Sequence, residues 1–211
     1  MARTKGSENK DSGQRKRRIL NGIWKAMRAA EGKPLSWREM AVAGGVGPAT
    51  LAHHFGKRDD VVEAILEAKR HEGLEALQTL ATPSSDNLET SLRDALEHMI
   101  VGLTQFDVGD LVGIGVAEGL YHERLGPAFL RQGLEPILQN VEQRLIAHRE
   151  AGAVGKVADI RAAAIMLVSP ILLTFMHQQP LGGAAIVPTD LAALARQTAQ
   201  SVAAFCGTKQ G

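Results

Sequence analysis

Between Ser36 and Phe55 the chain carries two short helical patterns separated by Gly44-Gly45-Val46, and this spacing restricts the fold more than any other feature of the sequence. Ser36-Trp37-Arg38-Glu39 has the S-x-x-E form of a capping box, in which a hydroxyl and a carboxylate satisfy two N–H groups at a helix start. Trp37, Met40 and Ala41 then recur at a spacing that buries one side. Gly44-Gly45 supplies a residue able to take the left-handed conformation that ends a helix and turns the chain sharply. Gly47 and Pro48 fit the N-cap and first helical position of a further helix through Phe55, because the N–H that proline lacks is not needed there. Gly56-Lys57 ends it. Two helices this short, joined this tightly, have the layout of a helix-turn-helix with the second helix as reader.

Helical signals flank the pair on both sides. Before it, Ile19, Leu20, Ile23, Trp24 and Met27 form one apolar stripe, with Arg17, Arg18, Lys25 and Arg28 on or beside the other face, until Glu31-Gly32-Lys33-Pro34 stops the pattern. Gly22 inside that helix costs about 1 kcal/mol relative to alanine, which marks a place of close packing. After the pair, Asp59 and Asp60 sit in a first turn where carboxylates favour the positive end of the dipole. Val61, Ala64, Ile65 and Ala68 form the inner face of that helix, which continues toward Leu77. A break at residues 81–86 is followed only by helical patterns, at about 88–105, 108–120, 126–151, 157–177 and 190–206. No stretch alternates with period two, so the expected fold is all-α. The expected organisation is a disordered basic arm over 1–13, a helix-turn-helix domain over 14–70 and a larger helical domain over 71–211.

Charge divides the chain at the same place. Residues 1–70 hold fifteen Lys or Arg against eight Asp or Glu, while residues 71–211 hold nine against fifteen, so a net charge of +1 conceals halves of +7 and −6. A basic N-terminal third on an acidic remainder suits an encounter with a polyanion at one end. With residues 100° apart on the second short helix, Leu51 and Phe55 point into the core and the opposite face centres on Ala49 and His53. Thr50 and Ala52 flank that face, and Pro48 and His54 lie at its margins. Imidazole and hydroxyl groups bond base edges, and small Ala49 permits close approach or contact with a thymine methyl. Lys57 and Arg58, at the N-terminal end of the next helix, are expected to anchor phosphates, with Arg17, Arg18 and the arm residues Arg3, Lys5 and Lys10 adding charge. On its own, the basic run Arg15–Arg18 reads first as a solvated helix start, and only its combination with the helix-turn-helix reverses that preference.

Residues 15–70, containing ILNGIWKAM and then LSWREMAVAGGVGPATLAHHFGKRDDVVEAIL, resemble the DNA-binding domain of the tetracycline-repressor (TetR) family of bacterial transcription regulators. The glycine-valine turn, Thr50-Leu51, His54-Phe55 and Arg58 stand where that family's motif has them. One departure is Ala52, which replaces the family's usual aromatic contact to the DNA backbone; that contact is lost or shifted to Lys57. The resemblance implies that the remainder dimerises and holds a small-molecule pocket. The sequence agrees in kind: Ile160–Met176 is apolar nearly all round, and the last helix repeats Leu191, Leu194, Ala195, Thr198, Val202 and Phe205 among small alanines. A homodimer through helices near 157–177 and 190–206 is expected, the competing reading being two core helices of a monomer. Effector-pocket candidates are His98, Met99, Phe106, Tyr121, Phe129, Met166, Phe175 and Met176, with Thr104, Gln139 or Thr174 for polar contacts, although most such residues are ordinary core.

Other chemistries find little support. His53 and His54 are neighbours pointing about 100° apart and cannot share a metal as an i, i+4 pair would. Gly113, Gly115 and Gly119 lie in a helical pattern with no preceding strand, which denies them a nucleotide-binding role. No nucleophile elbow, phosphate loop or metal spacing occurs, so neither catalysis nor a cofactor or metal is expected. The single Cys206 forms no internal disulfide, and MARTKGSENKDSGQRKRR lacks the apolar core of a signal peptide. The run Ala162–Met176 reads as too short to span a membrane and contains Ser169 and Pro170. The expectation is a cytoplasmic regulator of transcription, most simply a repressor released from double-stranded operator DNA by a small apolar effector. The alternative is a dimeric nucleoid-organising protein without an effector.

Overall fold

The computed structural model describes residues 5–30, 32–155 and 158–207, with side chains from Ser12 onward. Every regular element among them is helical, apart from an isolated antiparallel bridge between Val154 and Gly207. The order is α1 (Lys5–Ala29), α2 (Trp37–Ala43), α3 (Pro48–Phe55), α4 (Arg58–Glu72), α5 (Leu74–Ala81), α6 (Leu88–Gln105), α7 (Val108–Tyr121), α8 (Leu125–Phe129), a π-helical turn (Leu130–Leu134), α9 (Glu135–Glu150), α10 (Ile160–Gln178) and α11 (Leu191–Cys206). The fold is all-α.

Two compact units divide the chain. The first contains the described residues up to Lys69 together with Ile114–Phe129. Its core is built from Ile19, Ile23, Trp24 and Met27 of α1, Met40 and Ala41 of α2, Leu51 of α3 and Val61, Val62, Ile65 and Leu66 of α4. The capping box is in place: Ser36 Oγ accepts from the Glu39 N–H at 3.3 Å and Glu39 Oε2 accepts from the Ser36 N–H at 2.7 Å. The Ser36 hydroxyl first, then the Ser36 N–H, hold the Glu39 carboxyl below the usual carboxylate range. Close packing at Gly22 is also real, since a Cβ there would collide with the Ala43 carbonyl oxygen. In the turn it is Gly45, at φ +65°, that takes the left-handed conformation, while Gly44 stays right-handed. From the later chain, the second half of α7 and α8 supply Ile114, Leu125, Ala128 and Phe129 to this unit, with the Phe129 ring against Gly115.

The second unit contains residues 70–113 and 130–207 of the described chain. Here α10 packs on α9 and α11, and α11 on α6, around Leu92, Leu96, Val141, Leu145, Leu167, Ile171, Ala195, Ala199 and Val202. Arg144 is almost fully buried without a carboxylate at hydrogen-bond distance. It donates to the carbonyls of Thr79, Leu80 and Ser91 and to Ser91 Oγ, at 2.7–3.0 Å. One guanidinium thereby satisfies two free carbonyls in the last turn of α5 and ties α5, α6 and α9 together.

The structure departs from the sequence expectations in five places. The supposed disordered arm is helical from Lys5, because Lys, Glu, Gln and Arg are good helix formers and a helix anchored by packing extends at little cost; Arg3 lies outside the described residues. The helix expected to run to Leu77 breaks at Gly73, where the Gly73 N–H turns back to the Arg70 carbonyl and α5 begins. The helix expected over 126–151 is divided by the π turn, as Gly133 weakens it and Pro136 has no N–H to return to Gln132. At 19 residues, α10 is long and apolar enough to cross a membrane, contrary to the expectation from its greasiest stretch. Its inner face is nevertheless occupied by protein, with Ala163, Ala164, Leu167, Val168, Ile171 and Phe175 buried. Finally, the chain after residue 70 does not form one block: residues 114–129 return to the first unit.

Candidate nucleic-acid interface

Helix α3 is fixed by its apolar side. Gly47 caps it, Pro48 occupies its first turn and Leu51 is fully buried, which determines how the remaining side chains face. Pro48, Ala49, Ala52 and His53 are exposed; Thr50 and His54 are half-buried beside them. Ala49, Ala52 and His53 stand at i, i+3 and i+4, one contiguous outward patch. Phe55 is half-buried rather than core, and the Lys16 ammonium lies 5.9 Å from its ring centroid. The His53 and His54 rings are 5.5 Å apart, and His54 meets Phe55 edge-on at 6.2 Å. Desolvation first, then the positive charges of Arg15, His53 and Lys16, push the His54 imidazole below its ordinary range and favour its neutral form.

Exposed cations lie on the neighbouring elements, and two of them, Arg15 and Lys16, stand close enough to α3 to act on His54. Arg15, Lys16, Arg17 and Arg18 are all exposed on α1, and Lys57 is exposed between α3 and α4. The Lys57 N–H donates to Asp60 Oδ2 at 2.8 Å, and Asp60 Oδ1 accepts from Arg124 at 2.8 Å. These bonds, the backbone one foremost, lower the Asp60 carboxyl, and the Asp60 contact raises the Arg124 guanidinium.

Arg58 is not among these exposed cations. Its Nε donates to the Leu35 carbonyl at 2.8 Å, and its two terminal nitrogens hold Glu118 at 2.9 and 2.6 Å. Its side chain is 19% exposed and that of Glu118 only 3%, so the pair is a paired charge inside the unit, not a phosphate anchor. His122 completes the cluster, with Nε2 at 3.4 Å from Arg58 and Nδ1 at 3.8 Å from Asp59. Sequence reading missed Glu118 as a partner; its one signal was a lone carboxylate within the otherwise apolar VGIGVAEGL.

The effector candidates scatter. Tyr121 is 81% and Phe106 66% exposed, and Met166, Thr104 and Gln139 also lie on the surface, so these five do not line an enclosed pocket. Met99, Phe129 and Phe175 are core, Phe175 packing over Gly109. His98 is half-buried with Nε2 3.2 Å from the Ala76 carbonyl oxygen, and Met176 and Thr174 are half-buried on α10. Sequence reading also passed over Arg144 and His148, two buried polar groups one helical turn apart on α9; Nε2 of His148 has no hydrogen-bond partner. No group of three or more His, Cys, Asp or Glu side chains suited to a metal occurs among the described residues.

No family model and no curated protein matches the sequence, but solved structures match the fold over nearly its whole length. A Mesorhizobium loti protein described as a TetR-family transcriptional regulator superposes with a TM-score of 0.73 at 17% identity, covering 93% of this chain and 98% of that one. SmeT, the repressor of the Stenotrophomonas maltophilia multidrug efflux pump SmeDEF, gives 0.64 at 19% identity, covering 92% and 91%. FadR from Bacillus subtilis, a transcriptional regulator solved with stearoyl-CoA, gives 0.65 at 14% identity, covering 89% and 97%. The fold is that of the TetR-family regulators.

Proposed function

We propose that this chain is a cytoplasmic, homodimeric transcriptional regulator that binds double-stranded operator DNA through α3. The observation that carries the reading is the orientation of α3: Leu51 is buried while Ala49, Ala52 and His53 face outward, with Arg15 and Lys16 of α1 near His54 and exposed Lys57 directly after the helix. Small side chains on the outward face suit the floor of a major groove, and nearby exposed cations suit its phosphate walls. Residues 14–70 supply the reading head and residues 71–211 the dimerisation and effector functions, the segment 114–129 bracing the head.

Dimerisation falls to α10 and α11. Beyond its buried face, α10 exposes Ile165, Met166 and Leu173, and α11 exposes Phe205 near its C-terminal end. Pairing these faces in a second copy removes the apolar surface from water, and a dimer reading one near-palindromic site needs its two α3 helices about one DNA turn, roughly 34 Å, apart. A small apolar effector bound in the larger unit releases the operator by favouring a non-binding arrangement by roughly 1–3 kcal/mol. Repression with release is the simplest form of this control.

The test is enrichment from a random duplex library by the full-length protein, followed by titration of the enriched duplex. Saturable binding of two protomers to a near-palindrome is the expected result, and equal affinity for unselected duplexes overturns sequence-specific recognition. A rise in melting temperature with a small apolar ligand such as a long-chain alcohol, coupled to weaker DNA binding, distinguishes an effector-controlled regulator from a dimer that merely organises DNA.

A further inference from the structure

We infer that the protein reads its operator chiefly through thymine C5-methyl groups, with Ala49 and Ala52 as the specificity-determining residues; this rests on the DNA-binding reading above. None of the eight residues of α3, PATLAHHF, is Arg, Lys, Asn or Gln. Those are the side chains that make paired hydrogen bonds to the major-groove edges of guanine or adenine, so α3 has no bidentate reader. Its outward patch ends instead in two methyl groups, Ala49 and Ala52, with the imidazole of His53 beside them. The major-groove edges of the four bases present one apolar group, the thymine C5-methyl, and alanine is short enough to let the helix backbone approach it to van der Waals contact.

Rotating α3 does not provide another solution. Bringing Thr50 or His54 to the centre of the groove turns the helix by about 100° from Ala49 or His53 and draws the fully buried Leu51 out of the core. His53 adds a single hydrogen bond to a base edge. The exposed cations Lys57 and Arg15–Arg18 lie outside α3, where the DNA-binding reading assigns them to phosphates, which set affinity without discriminating bases. The sequence preference therefore depends on methyl contacts, an unusual weighting for a reading helix without any amide or guanidinium.

The experiment uses the full-length protein and a random duplex library synthesised once with thymidine and once with deoxyuridine, which lacks only the methyl group. Thymine-containing half-sites are expected from the first library. Replacing individual thymines of the enriched duplex with uracil is expected to weaken binding about fourfold for each contacted methyl, compounding over two half-sites to tenfold or more. In A49G and A52G, with helix content and melting temperature monitored, the ratio of thymine to uracil affinities is expected to shrink toward one. Uracil duplexes bound within twofold of their thymine counterparts overturn methyl readout, as does an undiminished ratio in both glycine variants. If the wild-type protein enriches nothing from either library, the DNA-binding reading itself falls; equal enrichment from both removes the methyl inference alone.

Discussion

Lys57 and Arg58 are adjacent cations with opposite physical roles, and side-chain direction decides which is which. Arg58 points inward to Glu118, so Arg58→Ala leaves a carboxylate 3% exposed without its partner. Losing one member of a buried pair costs about 3 kcal/mol or more, measurable as a lower urea midpoint at unchanged slope. Lys57→Ala should leave that midpoint in place and reduce the salt dependence of DNA binding by about one phosphate per protomer. His148 gives the pH prediction. Burial first, then the neighbouring Arg144 charge, hold its imidazole below the ordinary 6.5, with Asp86 opposing. Because the folded value is depressed, the unfolded chain binds more protons below about 6.5, so stability is full above that pH and declines as pH falls through it. His54 shifts in the same direction from a far more exposed position and contributes the smaller share. Denaturation midpoints from pH 8 to 5 should therefore fall for the wild type and flatten for His148→Leu; a parallel decline in both would exclude His148 as the source.

Among the helices, packing overrules intrinsic propensity where backbones meet. In an open helix, glycine to alanine gains about 1 kcal/mol. At Gly22 the added methyl meets the Ala43 carbonyl oxygen, a backbone atom that cannot step aside. Gly22→Ala should thus destabilise, by about 1–3 kcal/mol in the range of overpacked cores, whereas Gly13→Ala in the same helix, with nothing near its new methyl, should stabilise. Thermal melts of the two variants moving in opposite directions is the outcome to look for. The same contrast explains why most helix boundaries were legible: Ser36-x-x-Glu39, Gly45 and Gly47-Pro48 act through bonds and torsions a few residues away. The breaks at Gly73 and Leu130–Leu134 were not, because a single glycine or proline is often tolerated within a longer helix and each break depends on what packs around it.

For the molecule as a whole, the decisive prediction is association. Leu173 is 73% exposed on α10, and Leu173→Asp should convert the proposed dimer to monomer by sedimentation velocity while leaving the helical signal intact. DNA affinity should fall with it, because two reading heads on one site bind far more tightly than one. The amino-acid sequence by itself determined the all-α class, the helix-turn-helix and the charge division, since periodicity, capping and net charge are local or additive properties. It also determined that Leu51 faces inward and Ala49 outward, because 100° per residue fixes the faces of any short helix. What only the tertiary structure decided is where long side chains end and which distant segments meet. Arg58 finds Glu118 sixty residues away, Arg144 finds the carbonyls of α5 and α6, and residues 114–129 rejoin the first unit. Those outcomes follow from the need to pair every buried charge and polar group, a condition set by the surroundings of each group and not by its neighbours in the chain.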